Sequence, residues 1–269
     1  MFSVLLSLYA KENPAFLKQS LDSVFTQTLL PTEVVLVEDG PLTDELKSVV
    51  LDYKCRYPNL KVVTLEHNQG LGKALNEGLK HCSYDLIARM DTDDISKPDR
   101  FLKQYDLFQK HPEIDVCGSW IDEFWGCTDN VKSTRKLPEF HIDIQSYAKS
   151  RNPVNHPVVM FKKSAVLAAG GYKHFPLFED YYLWLRMLKN GAIFYNIQES
   201  LLYFRISPDM FKRRGGWKYA IDEFRFIKVM LNMNIITYRQ FVLNVITRFP
   251  VRIAPNQVRS WLYKKLLRI

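Results

Sequence analysis

Short apolar runs alternate with amphipathic segments over the first 110 residues of the chain. The apolar runs, each of which predicts a β-strand, cover residues 2–8, 34–37, 60–65 and 85–90. Segments with apolar residues at helical spacing follow each run, over residues 14–25, 43–53, 72–81 and 98–109. Because the strands are continuously apolar and alternate with helices, the pattern predicts an α/β fold with a mostly parallel sheet covered on both faces.

Polar or glycine-bearing residues follow all four predicted strands. They are Ser7 and Tyr9 after the first, Glu38 and Asp39 after the second, Asn68 to Lys73 after the third, and Asp91 to Asp94 after the fourth. In open sheets of this kind, ligands bind outside the carboxyl ends of the strands. The pattern therefore predicts one ligand site on one edge of the sheet.

Three carboxylates, Asp91, Asp93 and Asp94, lie where the fourth apolar run ends. Carboxylates this close repel one another and raise each other's pKa unless a cation neutralises them. Since no His or Cys is adjacent in sequence, the oxygen ligands favour Mg²⁺ or Mn²⁺. Such an ion is commonly coordinated by protein carboxylates and by a phosphate of the substrate at the same time. A helix cap and solvated turn before Lys97 and Pro98 is the alternative, and the motif alone does not decide between the two.

The order of these segments resembles that of the inverting nucleotide-sugar glycosyltransferases of family 2, which have the GT-A fold. The matching segments are Ser7 to Tyr9, Val37 to Gly40, Asn68 to Asn76, Ala88 to Asp94, Asn152 to Pro157 and Phe178 to Trp184. Each segment is a weak signal, but their order is specific, and the bacterial enzymes of exopolysaccharide and O-antigen assembly are the most similar. The Gln-x-x-Arg-Trp motif of processive synthases is absent, which indicates that one sugar is added per encounter.

The resemblance implies a nucleotide site on the predicted edge of the sheet. In that site Asp39 accepts the N3 proton of uracil, Tyr9 lies beside the base, and Asp91 binds the ribose hydroxyls. Asp93 binds the metal, and Asp94 is the second candidate ligand. The full set implied at the nucleotide is Ser7, Tyr9, Glu38, Asp39, Asn68, Lys73, Arg89, Asp91 and Thr92. Without the resemblance, a turn aspartate and a surface aromatic residue are the alternatives for Asp39 and Tyr9.

Glu179 and Asp180 precede a predicted helix whose apolar face includes Tyr181, Trp184 and Leu188. Acidic residues are common at helix starts because the helix dipole favours them, so the position alone is weak evidence of catalysis. The resemblance implies that Asp180 is the general base that deprotonates the acceptor hydroxyl, and that Glu179 positions the acceptor or a loop. A single displacement of this kind inverts the anomeric centre.

Four further residues are candidates for contact with the acceptor or the diphosphate. His156 precedes a predicted strand at 158–161, and the resemblance places it near the sugar or acceptor; an ordinary surface or core histidine is the alternative. Arg205, Arg213 and Arg214 follow a predicted strand at 201–204, on a loop that we expect to be mobile and to close over a diphosphate. A solvated or lipid-facing basic loop is the alternative.

The chain has 269 residues, of which 47% are hydrophobic, so it has enough apolar material for a sizeable core. We expect a GT-A catalytic domain over residues 1–210, with a nucleotide part over 1–110 and an acceptor part over 111–210, and a basic helical extension over 211–269. The four cysteines show no CxxC spacing, and neither a signal sequence nor a long apolar run is present. These features predict a reduced, cytoplasmic protein that does not span a membrane.

The excess positive charge lies in the C-terminal part of the chain. Residues 211–269 contain thirteen Lys or Arg and two acidic residues, a net charge of +11, whereas the whole chain carries +8 and the preceding part therefore −3. Basic amphipathic helices with aromatic residues favour anionic membranes, which indicates a peripheral protein on the inner face of the bacterial cytoplasmic membrane. Packing of the apolar face on the catalytic domain is the alternative. A nucleic-acid partner is not expected, since no recognition motif accompanies the charge.

The resemblance implies a hexosyltransferase that moves a hexose or N-acetylhexosamine from a UDP-sugar to a saccharide acceptor, expected to be linked to a lipid diphosphate, with Mn²⁺ or Mg²⁺. A catalytically inactive, nucleotide-binding or scaffolding relative is one alternative. The presence of Asp39, Asp91, Asp93 and Asp180 argues against it. A nucleotidyltransferase is a second alternative, but its glycine-rich loop should follow the first strand, and residues 7–13 contain no glycine.

Overall fold

The computed structural model describes residues 1–207 and 215–254, and a nine-stranded sheet forms their centre. The strands are β1 Ser3–Leu8, β2 Glu33–Glu38, β3 Leu60–Thr64, β4 Leu86–Asp91, β5 Ile95–Ser96, β6 Val116–Phe124, β7 Val131–Arg135, β8 Met160–Lys162 and β9 Phe194–Arg205. Their order is β3-β2-β1-β4-β8-β6-β9-β5, and β7 pairs with β6. The sheet is mixed and mostly parallel, which confirms the predicted α/β class.

Helices cover the sheet and follow most of its strands. They are α1 Pro14–Phe25, α2 Asp44–Arg56, α3 Leu71–His81, α4 Arg100–Lys110, α5 His141–Tyr147, α6 Lys163–Ala168, α7 Glu179–Lys189, α8 Trp217–Asn232 and α9 Tyr238–Ile253. Asn13 caps α1 by accepting the N–H groups of Ala15 and Phe16, and Thr43 caps α2. Both caps begin helices where the sequence predicted them.

Strands β1 to β4 form the parallel half of the sheet. β1 lies between β2 and β4, and β3 lies outside β2. In this register Ser7 is the partner of both Val37 and Asp91. The carboxyl ends of three strands therefore meet at one edge, as the alternating pattern predicted.

Strands β8 and β6 change the sheet from parallel to mixed. β8 pairs antiparallel with both β4 and β6, and β9 runs parallel to β6. The strand predicted at 158–161 begins later, because His156–Val158 form a short 3-10 helix and only Met160–Lys162 pair as β8. Pro157 lies in that turn, and because proline has no backbone N–H it cannot donate a hydrogen bond to a neighbouring strand. The strand predicted at 201–204 is the end of the longer β9.

Two apolar cores cover the two faces of the sheet. One contains Leu17 of α1 and Phe101 of α4, and the other contains Leu75 of α3. Neighbouring residues of β1 enter opposite cores, Leu6 the first and Leu5 the second. Burial on both faces explains why the strands are continuously apolar in the sequence.

A third core joins α7 to α8 and α9. Phe178 and Tyr181, at the start of α7, each have a ring centroid 4.8 Å from that of Phe226 in α8. Met230 and Ile236 complete the buried part of this cluster on the C-terminal side. The described part of the basic extension therefore packs against the part of the chain that forms the sheet, and some of its apolar side chains belong to a buried core.

Helices α8 and α9, here called the C-terminal hairpin, enclose a buried ion-pair cluster. Glu223 is 1% exposed, and its carboxylate lies 2.6 Å from an Arg248 nitrogen and 2.7 Å from Arg252 Nε. Burial acts to raise the pKa of Glu223, but the hydrogen bonds and charges of the two arginines outweigh it and lower the pKa below its usual value. Neither helix of the hairpin, nor any other within residues 1–207 and 215–254, has the length and hydropathy of a membrane span.

We expect Glu223→Ala to lower the free energy of unfolding by about 3 kcal/mol, because it leaves two largely buried guanidinium groups without their carboxylate. Urea denaturation followed by circular dichroism measures this loss. Glu199→Ala is the matched control, since the Lys103–Glu199 pair is exposed and its removal costs under about 1 kcal/mol. Equal losses in the two variants would contradict a stabilising role for the buried cluster.

Candidate active site

Three acidic residues meet at the carboxyl end of β4. Asp91 is the last residue of β4, and Asp93 and Asp94 lie in the turn before β5. One carboxylate oxygen from each residue lies within 4.8 Å of the others. The strand that follows this turn, β5, pairs antiparallel with β9.

Burial of this carboxylate cluster opposes the ionisation of its members. Burial and then the charge of Asp91 raise the pKa of Asp93 to about 6. Burial and the charges of Asp93 and Asp91 raise the pKa of Asp94 well above its usual value. Asp94 Oδ2 is buried and has no hydrogen-bond partner among the described residues. Three oxygen donors, one of them unpartnered, fit a divalent cation such as Mn²⁺ or Mg²⁺, whose charge would favour ionisation.

Arg205 fixes the turn that carries Asp93 and Asp94. Its backbone N–H donates to Asp94 Oδ1, and its Nε donates to the Asp93 carbonyl oxygen, both at 2.8 Å. Its guanidinium carbon lies 3.9 Å from the ring centroid of Phe16. The predicted position of Arg205 on a mobile loop is wrong. It is the last residue of β9, where pairing with Phe124 of β6 fixes its backbone.

Arg89 is buried close to the carboxylate cluster and carries two unpartnered donors. Its Nη2 forms an ion pair with Asp91, whereas Nε and Nη1 have no hydrogen-bond partner among the described residues. Its charge also acts to lower the pKa of Asp180 and of His156. Two donor nitrogens without partners in a buried side chain need acceptors, and a ligand beside the cluster could provide them.

Asp39 holds the loop that follows β3. Its two carboxylate oxygens accept the N–H groups of Gln69 at 2.7 Å and Gly70 at 3.0 Å, and Asn68 Nδ2 donates to its carbonyl oxygen at 3.2 Å. Gly40 makes this close approach possible, because its φ is +88° and an added Cβ would lie 2.5 Å from the Asn68 nitrogen. The sequence predicted a nucleotide contact for Asp39 and did not predict this loop contact.

The other predicted nucleotide residues surround the same edge of the sheet. Those at or directly after strand ends are Ser7, Tyr9, Glu38 and Thr92, and those on the loop and helix after β3 are Asn68 and Lys73. Thr64 donates its hydroxyl to Glu38 Oε2 at 2.8 Å, which ties the end of β2 to that of β3. Lys73 is exposed in the first turn of α3, so its ammonium group is accessible to a ligand at this edge.

A second site, here called the α7 pocket, lies at the start of α7 and encloses a cavity of about 150 Å³. Its lining residues are Leu71, His156, Tyr172, Leu177, Glu179 and Asp180. Three of these, His156, Glu179 and Asp180, were predicted from the sequence. Leu71 is the first residue of α3, so the pocket adjoins the loop that Asp39 holds.

The Asp180 carboxyl is oriented by Asn152. Asn152 Nδ2 donates to Asp180 Oδ2 at 2.6 Å, and Arg135 donates to the Asn152 carbonyl oxygen at 3.2 Å. Burial raises the pKa of Asp180, while the Tyr181 N–H, the Asn152 amide and the charge of Arg135 oppose the shift. A carboxyl group with a raised pKa and a fixed orientation is suited to accept a proton.

His156 and Tyr172 form a neutral pair in the same pocket. His156 Nε2 lies 2.9 Å from the Tyr172 hydroxyl. Burial and the charge of Arg89 lower the pKa of His156 well below its usual value, so the imidazole is uncharged at neutral pH. Burial raises the pKa of Tyr172, so its hydroxyl stays protonated. The pair therefore offers the pocket hydrogen-bonding groups without charge.

Glu179 and Asn76 connect the α7 pocket to α3. Glu179 Oε2 accepts the N–H of Gly72 at 3.2 Å. The Asn76 side chain accepts the Tyr172 N–H at 2.8 Å and donates to the Tyr172 carbonyl oxygen at 2.7 Å. The segment before α7 is thereby attached to the helix that follows the Asp39-held loop.

Several residues in or around the α7 pocket were not singled out from the sequence. Asn152 and Asn76 are polar residues inside segments that match the family pattern, and this is the feature of the sequence from which they could have been predicted. Their contacts join distant parts of the chain, with 96 residues separating Asn76 from Tyr172. Leu177, with a φ of 69°, carried no such signal. The other predicted diphosphate residues, Arg213 and Arg214, lie outside the described residues.

Comparison with known proteins identifies relatives over nearly the whole chain. The model of glycosyl transferase family 2 matches residues 3–167. The chain is 42% identical over 267 residues to the UDP-Gal:alpha-D-GlcNAc-diphosphoundecaprenol beta-1,3-galactosyltransferase of Escherichia coli, covering 99% of this chain and 96% of that protein. It is 40% identical over 265 residues to the amylovoran biosynthesis glycosyltransferase AmsE of Erwinia amylovora, covering 98% of each.

Solved structures share the fold at lower identity. Residues 1–349 of S. aureus TarS in complex with UDP-GlcNAc give a TM-score of 0.68 at 18% identity, covering 93% of this chain and 72% of that chain. The mannosyltransferase PcManGT from Pyrobaculum calidifontis, in complex with GDP-Man and Mn²⁺, gives 0.63 at 15%, covering 92% and 68%. These likenesses confirm the predicted GT-A fold. The chain belongs to glycosyltransferase family 2, and its predicted class of enzyme, a hexosyltransferase, is confirmed by its relatives.

Proposed function

We propose that this enzyme transfers a hexose, with inversion, from a UDP-sugar to a saccharide carried on a lipid diphosphate during surface polysaccharide assembly. The observation that supports this most is that one edge of the sheet has both a three-carboxylate cluster and a pocket containing Asp180. The name of the E. coli relative supplies the donor and acceptor classes. UDP-galactose is therefore the first donor to test.

The carboxylate cluster is the proposed donor side of the site. Asp93, with Asp94 as second ligand, would hold the Mn²⁺ or Mg²⁺ that neutralises charge on the departing diphosphate. Asp91 would bind the ribose hydroxyls, and Arg89 has two donors to offer beside it. Asp39 would accept the uracil N3 proton, since each of its carboxylate oxygens has a lone pair beyond the one used by a backbone N–H.

Asp180 is the proposed general base. The acceptor hydroxyl oxygen attacks the anomeric carbon, the bond from that carbon to the UDP oxygen breaks, and Asp180 takes the hydroxyl proton. Attack opposite the leaving group converts an α-linked donor into a β-linked product. The hydrogen bond from Asn152 supports this role because it aims the carboxyl group, and the neutral His156–Tyr172 pair would hold the acceptor hydroxyl.

We also propose that the enzyme works on the inner face of the cytoplasmic membrane, with residues 1–210 as the catalytic domain and 211–269 as the membrane-proximal part. A lipid-linked acceptor would lie at that surface. The net charge of +11 in the C-terminal part supports the attraction to anionic lipid. Arg213 and Arg214 are proposed to contact the diphosphate.

We expect Asp180→Asn to lower the transfer rate by at least ~10²-fold and to leave UDP affinity unchanged, because asparagine keeps the size of the side chain but cannot take the proton. Product formation from UDP-galactose and a lipid-diphosphate-linked saccharide measures transfer, and calorimetry measures UDP binding. Asp39→Asn is the contrasting variant, expected to weaken UDP binding. Retained transfer in Asp180→Asn would rule out Asp180 as the base.

We expect Asn152→Ala to shift the acid side of the kcat/KM profile to higher pH. The Asn152 amide donates to the ionised carboxylate and so favours it; its loss raises the pKa of Asp180, and a larger fraction of the base is protonated at a given pH. Rates measured over a pH series test this. Asn190→Ala is the control, since its amide donates to the Ala168 carbonyl at a turn away from Asp180. An unshifted profile would contradict the orienting role.

We expect UDP binding to weaken when EDTA removes divalent cations and to recover with Mn²⁺, because Asp93 cannot approach a diphosphate without a cation between them. In Asp93→Ala the response to Mn²⁺ should be lost. Asp99→Ala is the control, because its carboxylate accepts the Thr28 hydroxyl outside the cluster. Calorimetric titration with UDP, with and without metal, measures the UDP affinity of the unsubstituted chain and of the two variants. The metal assignment fails if EDTA leaves the affinity unchanged.

A further inference from the structure

The C-terminal hairpin separates its charges by sign. Its two acidic residues, Asp222 and Glu223, are 6% and 1% exposed and are paired with arginines. Its solvent-exposed charged residues are Lys218, Arg225, Lys228 and Arg239. Within residues 215–254, every charged side chain that is exposed is therefore positive.

The same hairpin exposes a row of large apolar side chains. Trp217, Ile221 and Phe224 recur along one side of α8 and are 64%, 42% and 37% exposed. Tyr238 and Ile246 of α9 are 72% and 64% exposed. Ring contacts extend the row across the two helices, with centroid distances of 6.2 Å from Trp217 to Phe249 and 5.9 Å from Phe224 to Phe241.

These two properties together match an anionic bilayer. A large exposed apolar surface marks a site of interaction, and aromatic side chains beside lysine and arginine suit the boundary between lipid headgroups and acyl chains. The absence of exposed acids among the described hairpin residues removes the repulsion that such a surface would otherwise meet. We propose that this hairpin face, formed by Trp217, Ile221 and Phe224 with the flanking Lys218 and Lys228, docks on the surface of an anionic lipid bilayer.

The proposal deepens the proposed function, because it rests on a lipid-linked acceptor and specifies how the enzyme meets it. The opposite side of α8 carries Tyr219 and Phe226, which pack on Phe178, with ring centroids 5.7 Å and 4.8 Å away. Phe178 lies two residues before Asp180. A hairpin that rests on the bilayer therefore sets the height and orientation of the α7 pocket above the lipid.

Part of the predicted basic extension, residues 211–269, is buried and is not available for contact with a membrane. Of the apolar residues assigned to the basic extension, Phe241 and Val245 pack against the third core. Removing the chain from Ile236 onward would also remove Arg248 and Arg252 and leave Glu223 buried without them. A truncation of this kind would damage the fold, so substitutions on the exposed face of α8 are the appropriate test.

The test is flotation of the full chain with phosphatidylcholine vesicles, with and without phosphatidylglycerol, at low and high salt. Two variants, Trp217→Ala/Lys218→Ala and Phe224→Ala/Lys228→Ala, each remove one exposed apolar and one exposed basic side chain. We expect each to lower the partition onto anionic vesicles by roughly tenfold, and high salt to weaken binding of the unsubstituted chain. Leu51→Ala/Lys54→Ala, a matched exposed pair on α2, should bind as the unsubstituted chain does.

Three results would overturn the proposal. The first is that the full chain does not bind the vesicles, and the second is that the α2 control loses as much binding as the α8 variants. The third is a dimer, seen by light scattering, that the α8 variants dissociate, because the face would then be a self-association surface. Thermal melts of every variant check that binding losses are not unfolding. UDP-galactose hydrolysis separates the two proposals: a chain that hydrolyses the donor without binding vesicles contradicts only the docking face, and the reverse contradicts only the proposed donor chemistry.

Discussion

The buried guanidinium of Arg89 allows this fold to concentrate acidic side chains at one edge of its sheet. Parallel strands end on the same side, so the polar residues that follow them accumulate there, and repulsion limits how many can be acidic. Arg89 lies in the central strand β4 and pairs with Asp91. Its charge also acts to lower the pKa values of Asp93, Asp94 and Asp180. One fixed positive charge thus serves both the carboxylate cluster and the α7 pocket.

Much of this arrangement could be predicted because it depends on neighbours in the sequence. Asn13 and Thr43 cap helices whose first residues follow them directly, and continuously apolar runs indicate strands buried on both faces. The carboxylate cluster is contained in four consecutive residues, so the turn after β4 brings it together.

The contacts that were not predicted depend on the second half of the sheet. Arg205 reaches Asp93 across 112 residues, and Asn152 reaches Asp180 across 28, only because β8, β6 and β9 pair as they do. Local periodicity does not encode that order. Helix α8 raises a different difficulty: Trp217 and Phe226 lie on different sides of one helix, and the sequence does not indicate which aromatic side is buried.

The ion pairs of Glu223 impose an order on the synthesis of the protein. Arg248 and Arg252 both follow Glu223 in the chain, the latter by 29 residues, and until the ribosome has added both the carboxylate lacks the full set of partners that makes its burial favourable. The third core, into which Tyr181 and Phe226 pack, is therefore completed after the sheet has left the exit tunnel. A nascent chain that stalls before residue 252 has the carboxylate cluster and the α7 pocket but lacks the finished hairpin, so the sheet can assemble before the hairpin does.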